Sequence, residues 1–461
     1  MMKWLRSRWF KTIMLSILGM IIALVSYGLL QLIEPVSLAP ITKSSQSIKF
    51  AGRALLVASD ADMVATAYAD GKLERVAGVE DTLTVIGLQN ALNSTNIQTL
   101  RVSNSVMSWP QIIAVSPNGQ RAYVVEVRRR PNNNIQAFAS IDQMPDGQQL
   151  TVVDIADLNQ PKVLESIAIG RNPEHVSISP DGRFLAVNLE EPGRELVIIQ
   201  LQEDGHLGKR WFFPMSVDNS QSGNGAAIWH PSGKYIAMTQ DSDSRVGFYK
   251  VDINSSGDIS ILPYSEPLTV GNHLSNARFT TDGRFLLVPD LKWRTWGIRA
   301  FNFLLNPKGE MIAIRFEPES GKLPEVVSRV EVGLSPEGFA LSSDNKLIAT
   351  VNMRRTYFSP NLPPAWRGKH YSSLSLVKFN SQSGKLETID EYGFEGLLPE
   401  QATFDAEGKS LAVVIFNYRE SFPKTGAVEF WNVINSNKPR LERTGLKLNV
   451  VRGAHDIVLV P

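Results

Sequence analysis

The 461-residue sequence contains no cysteine. That absence removes thiol catalysis, disulfides, c-type haem attachment and every cysteine-ligated zinc site. It suits an oxidising compartment without requiring one. Surplus charge is missing too, since 47 Lys and Arg stand against 46 Asp and Glu. Bulk charge therefore gives no basis for binding nucleic acid. There is no P-loop, no GxSxG, no HExxH among the six histidines, and no GxGxxG after a strand. The nucleotide, serine-hydrolase and zincin chemistries that use those motifs have no support. DINSSGD (252–258) begins like a calcium loop, but Pro263 stands where the bidentate Glu belongs, so it reads as a hairpin. What remains is an ordinary folded composition, 43% hydrophobic and 20% charged.

The N-terminus reads as a membrane address. Lys3, Arg6, Arg8 and Lys11 precede Thr12–Ile33, which runs 22 residues without a charge. About 20 apolar residues cross a bilayer as a helix. Basic residues before the span and none just after it place the N-terminus inside and the rest outside. The rival is a cleaved signal peptide, with Ser26-Tyr27-Gly28 or Ser37-Leu38-Ala39 as weak cleavage sites. Both readings export the remainder, to a periplasm or a cell surface, or as a secreted protein. The expected organisation is a basic cytoplasmic segment 1–11, an anchor or signal 12–33, a Pro- and Ser-containing tether 34–50, and one folded unit 51–461.

Internal repetition sets the architecture. One unit recurs: an alternating apolar strand, a tight turn, then a second apolar strand. It appears as IIAVSPNGQRAYVV (112–125), HVSISPDGRFLAVN (175–188), AIWHPSGKYIAM (227–238), ARFTTDGRFLLV (277–288), FALSSDNKLIATV (339–351) and TFDAEGKSLAVV (403–414). Pro presets these turns, Asp or Asn starts them, and Gly accepts positive φ. A second turn, Gly-x-Leu or Gly-x-Ile, recurs at Gly71, Gly205, Gly257, Gly321 and Gly384. Two hairpins make four strands per unit, the signature of propeller blades. The chain ends complete a seventh blade. HDIVLVP (455–461) matches a first strand, and RALLVASDADMVATAYADGKL (53–73) matches the other three. The expected fold is all-β: a seven-bladed β-propeller closed by N- and C-terminal strands, after one transmembrane helix.

Propeller topology puts the SPDG-type turns at the bottom and the loops after each second strand at the top. Counting back from each turn gives a ring at the channel mouth: Gln111, Glu174, Gly225, Ser275, Glu337, Glu400 and His455. Glu174, Glu337, Glu400 and His455 are the candidate catalytic groups. Close carboxylates raise one another's pKa or recruit a cation, Ca²⁺ or Mn²⁺ here. They also suit acid/base work. The plainer alternative is a solvated polar channel.

Three long insertions share the top face. They supply Arg128, Arg129 and Arg130, then Trp293, Arg294 and Trp296, then Arg354, Arg355, Trp366, Arg367 and His370. Arg and aromatic residues of this kind are enriched at binding hot spots. An acidic throat under a basic, aromatic rim suits a polar ligand or an acidic partner segment. The alternative is loops that pack on one another and cover the channel. His175 and His230 lie within inner-strand repeats and read as structural. Trp109, Trp211, Trp229 and Trp431 read as blade packing.

HVSISPDGRFLAVN and NARFTTDGRFLLVPDLK, with their Gly-Lys-Leu hairpins, resemble the lactonase-type, or YVTN-repeat, propellers. That family includes the propeller-type 6-phosphogluconolactonase and carboxymuconate-lactonizing enzyme. The resemblance covers about 51–461 and rests on turns and strands. It implies a lactonase-like fold and, in the family's enzymes, an inner-strand His with an Arg and a Glu in the next blade. The aligned positions here are Ser275, with His273 two residues earlier, then Glu337 and Met353. The leading expectation is a membrane-tethered binding or scaffolding module that works through its top face. The alternative is a hydrolase or isomerase acting on a lactone or polar organic acid in the channel. Neither reading needs a cofactor, and a structural cation in the ring is the one metal role considered.

Overall fold

The bottom turns hold themselves together. In SPDG, the Ser179 hydroxyl donates to Asp181 at 2.6 Å and accepts from the backbone N–H of Arg183 and Phe184. Gly182 sits at φ 73°, and Asn345 takes the equivalent place at φ 54°. At Gly283 space is limiting as well, because a Cβ there would lie 2.3 Å from His230 Nε2. His230 in turn bonds the Gly283 carbonyl at 3.0 Å. It is a structural histidine, as its place in the repeat suggests.

The computed structural model describes residues 8–33, 36–42, 49–89, 92, 97–215, 225–240, 244–295, 306–358, 371–417 and 424–461. Seven antiparallel sheets follow one another around a ring. Blades 1 to 6 span 113–168, 173–213, 227–269, 278–331, 336–394 and 402–451. Blade 7 takes its inner strand from Ala454–Val460 and its others from Ala54–Ser59, Thr82–Gly87 and Ile97–Arg101. The two ends of the chain therefore share one sheet, with Leu56 opposite Val458. Closure of this kind leaves no open inner edge. Buried aliphatic clusters fill the spaces between neighbouring blades, such as Leu185, Val187 and Val197 against Val124 and Val152.

The N-terminal helix Arg8–Ile33 is long and apolar enough to cross a membrane. The hairpins at Gly205, Gly257, Gly321 and Gly384 join third to fourth strands, as expected, and DINSSGD is one of them. Gly71 is a correction. It does not turn a hairpin. It ends the short helix Ala67–Asp70 at φ 69°. The third and fourth strands of blade 7 are 82–87 and 97–101, and 60–81 is a fourth top-face insertion. A glycine with positive φ serves a helix end as readily as a turn, so the motif misplaced those strands.

Residues 36–42 also differ from a free tether. They lie between the outer strands of blades 5 and 6, with parallel bridges from Leu38 to Gly393 and from Ile41 to Arg443.

Candidate functional site

The top-face insertions meet over the channel and pack into an apolar cap. Met63, Val106, Trp109, Met144, Tyr357 and Phe416 are buried within it. His273 sits between Trp109, at 5.3 Å between ring centres, and Trp293, at 5.4 Å. Burial pulls its pKa down to about 3, so it is neutral. Met353, one of the three positions the resemblance aligns with family catalytic residues, belongs to the same cap. Trp109 thus packs in the cap, whereas Trp229 and Trp431 are buried among the blades.

Beneath the cap the ring divides. Glu337 and Glu400, at the heads of the blade 5 and blade 6 inner strands, are both buried. Burial pushes Glu337 up to about 8. Glu400 is held well above the usual carboxylate range, by burial first and then by Glu337, Asp60 and Asp456. Neither oxygen of Glu400 has a hydrogen-bond partner among the described residues. Such a pair keeps a proton at neutral pH.

The other two candidate residues are tied into the frame. Glu174 Oε2 accepts from Asn188 Nδ2 at 3.0 Å and from the Gly225 N–H at 3.1 Å. His455 Nε2 meets Asn104 Oδ1 at 2.8 Å, and burial lowers its pKa to about 3. The ring also stitches blades together, since the Ser275 hydroxyl donates to the Glu337 carbonyl at 2.5 Å. His175 bonds Gln111 at 2.7 Å and is likewise held neutral.

Two lumen residues lie outside the sequence-derived set. Arg278, on the inner strand of blade 4, acts electrostatically on Asp456 of blade 7 and on His175 of blade 2. Inner strands so far apart around the ring face one another only across the channel. Asp456 is fully buried and raised to about 6 by that burial, against several backbone N–H bonds. The Arg278 guanidinium therefore lies in the lumen below a protonated carboxyl pair.

Most of the described rim arginines are already engaged within the fold. Arg128 pairs with Asp146 at 2.8 Å and Glu190 at 3.1 Å. Arg130 pairs with the buried Asp62 at 2.5 Å. Arg354 is buried against Glu391 at 3.7 Å and over the Tyr371 ring. Arg355 is buried and reaches the Asn306 carbonyl at 3.4 Å. Trp293 donates to Ser335 at 3.0 Å. Arg129 and Arg294 are exposed. Trp296, Trp366, Arg367 and His370 lie outside the described residues.

The insertion 60–81 adds an acidic knot that no motif announced. Ligand atoms of Asp60, Asp62 and Asp81 lie within 4.8 Å of one another, and all three residues are buried. Burial raises all three pKa values, Asp62 to about 7. Arg130 and Arg452 supply opposing charge. Asp60 also accepts from the Val106 N–H at 2.9 Å, and Asp81 from the Ala61 N–H at 3.0 Å. The knot works as a charge-compensated brace beside the closing strand.

No family model and no curated protein matches the sequence. Solved structures do match. A periplasmic gluconolactonase from Pseudomonas aeruginosa is 14% identical at a TM-score of 0.59, covering 89% of this chain and 99% of that one. A 6-phosphogluconolactonase candidate from Bacteroides uniformis is also 14% identical, at 0.57, covering 89% and 99%. One from Bacteroides fragilis is 13% identical at 0.58, covering 89% and 98%. At such identity the likeness is one of architecture. The chain has the seven-bladed propeller fold of the lactonase-type proteins.

Proposed function

We propose that this protein is an exported, membrane-anchored propeller whose channel binds a small polar carboxylic acid or lactone. The observation that carries this reading is the buried Glu337–Glu400 pair, whose Glu400 oxygens have no partner among the described residues. A buried carboxyl left without a partner costs stability, so a ligand that bonds it repays the burial. Arg278 supplies a charge for a carboxylate ligand. The capped channel limits water around the pair.

The same pair suits lactone hydrolysis. As pH rises through about 8, Glu337 ionises and takes a proton from water as the water oxygen bonds to the carbonyl carbon. The protonated member gives its proton to the ring oxygen as the C–O bond breaks. The neighbour named a gluconolactonase suggests the first compound to try. Full-length protein in detergent is titrated calorimetrically with gluconolactone and gluconate, and lactone opening is followed by acid release. Binding that weakens at least about tenfold, roughly 1.4 kcal/mol, in Glu400→Gln supports the channel site. Equal binding by wild type and variant removes it.

The rim-binding reading keeps one specific support, the exposed Arg129 and Arg294 on the top face. It expects a crosslinked partner in intact cells that is lost in the Arg129→Ala, Arg294→Ala double variant.

A further inference from the structure

We propose that residues 36–42 are a strap that orients the propeller, turning its top rim at blades 5 and 6 toward the membrane surface. The inference rests on the anchored reading above. Helix Arg8–Ile33 ends two residues before the strap begins. Three Cα–Cα steps join Ile33 to Val36, so the gap is at most about 11 Å. No slack of tether length exists between bilayer and propeller.

The strap is held along its length. The Tyr371 hydroxyl donates to the Val36 carbonyl. The Ala39 N–H donates to the Gly393 carbonyl at 2.8 Å, and the Gly393 N–H returns a bond to Ser37 at 3.0 Å. The Thr42 N–H donates to the Arg443 carbonyl at 2.8 Å. Two glycines make room for it. A Cβ at Gly393 would lie 2.8 Å from the Ser37 carbonyl oxygen, and one at Gly445 would lie 2.7 Å from the Ile41 side chain.

The contacts made before and after the strap fix which face is near the anchor. Val36 meets Tyr371, which adjoins the top-face insertion before strand Ser372–Phe379. Farther along, the Lys49 carbonyl accepts from Ser410, and Ala51 bonds Asp405 and Ala406 at the blade 6 bottom turn. The chain thus leaves the helix at the top rim and reaches the bottom only afterwards. Leu38 and Ile41 are 47% and 54% exposed beside that rim. The occupant this surface fits is the lipid headgroup layer around the chain's own helix.

The test uses the absence of native cysteine. Glu395→Cys marks the top end of blade 5, and Gln382→Cys marks the bottom hairpin of the same blade; both positions are exposed. Strand Leu386–Phe394 separates them by nine residues, about 30 Å. Each variant is labelled with a fluorophore, and the full-length protein is reconstituted in vesicles carrying a headgroup quencher. Quenching several-fold stronger at 395 than at 382 is the expected result. Equal or reversed quenching overturns the proposal. Ala39→Pro deletes one strap donor and should reduce the difference while the melting temperature of the propeller stays within a few degrees. A difference that persists in a correctly folded Ala39→Pro variant also overturns it. Alkaline extraction and intact mass keep the two readings apart. A soluble, trimmed chain defeats the anchor, whereas an intact, membrane-retained chain without orientation defeats the strap alone.

Discussion

Arg452 is fully buried beside two aspartates. Its guanidinium donates to the Ala61 carbonyl at 3.0 Å and the Glu74 carbonyl at 2.9 Å. Removing it leaves Asp60 and Asp62 buried without that charge. Arg452→Ala is therefore expected to destabilise the protein by about 3–5 kcal/mol, the range for removing a charge that compensates buried carboxyls. Chemical denaturation checks this, and a loss under about 1 kcal/mol contradicts the bracing role. Not every such residue was readable in the sequence. Glu337 and Glu400 were, because each stands at a fixed offset from a repeated turn. Asp60, Asp62, Asp81 and Arg452 were not. They occupy no repeat position, and only closure of the ring brings Arg452 to the three aspartates. The burial of Arg354 and Arg355 was not legible for a related reason. A pattern of Arg and aromatic residues names a chemistry but not whether the protein has already used it.

At the scale of the element, closure depends on a glycine. Gly453 sits at φ 85°, and a Cβ there would lie 1.6 Å from the Asp60 carbonyl oxygen. Gly453→Ala combines that collision with a backbone region costing about 1–3 kcal/mol for other residues. The expected outcome is faster amide exchange in strand Ala54–Ser59, with blades 2 to 4 unchanged. Uniform exchange across all blades would show that the closing sheet is not the weak joint. The strands themselves were legible, since a period of two survives around the turn in six blades, with Gly in five and Asn345 in the sixth. The failures came where one signal serves two structures. Gly71 looked like a hairpin and ends a helix. Residues 36–42 looked like a tether and lie along two blades, because bonding through backbone groups leaves little mark on side-chain pattern.

For the whole molecule, buried titrating groups of opposite kinds shape stability against pH. Glu337, Asp62 and Asp456 have folded pKa values of about 8, 7 and 6, above their ordinary 4.5, 3.8 and 3.8. Their contribution is full below the ordinary values and is lost as pH rises through the folded ones. His175, His273 and His455 stand at about 3, below their ordinary 6.5. Their contribution is full above 6.5 and is lost as pH falls toward 3. Glu400, Asp60 and Asp81 are raised as well, so carboxyls outweigh histidines and the melting temperature should fall from about pH 4.5 toward 8, and again below about 4 as the histidines lose their share. Glu337→Gln should make the fall shallower across the window from about pH 4.5 to 8. A melting temperature that rises from pH 6.5 to 8 would contradict the buried, protonated pair.

The shared sheet of blade 7 also sets a timetable. Strand Ala54–Ser59 leaves the ribosome early, and its partner Ala454–Val460 comes about 400 residues later. At roughly 5–20 residues per second the early strand waits on the order of 20–80 seconds for its neighbour. No prefix of the chain can finish the ring. A premature stop before Ala454 removes the closing strand, so the ring cannot close until that late segment has been made.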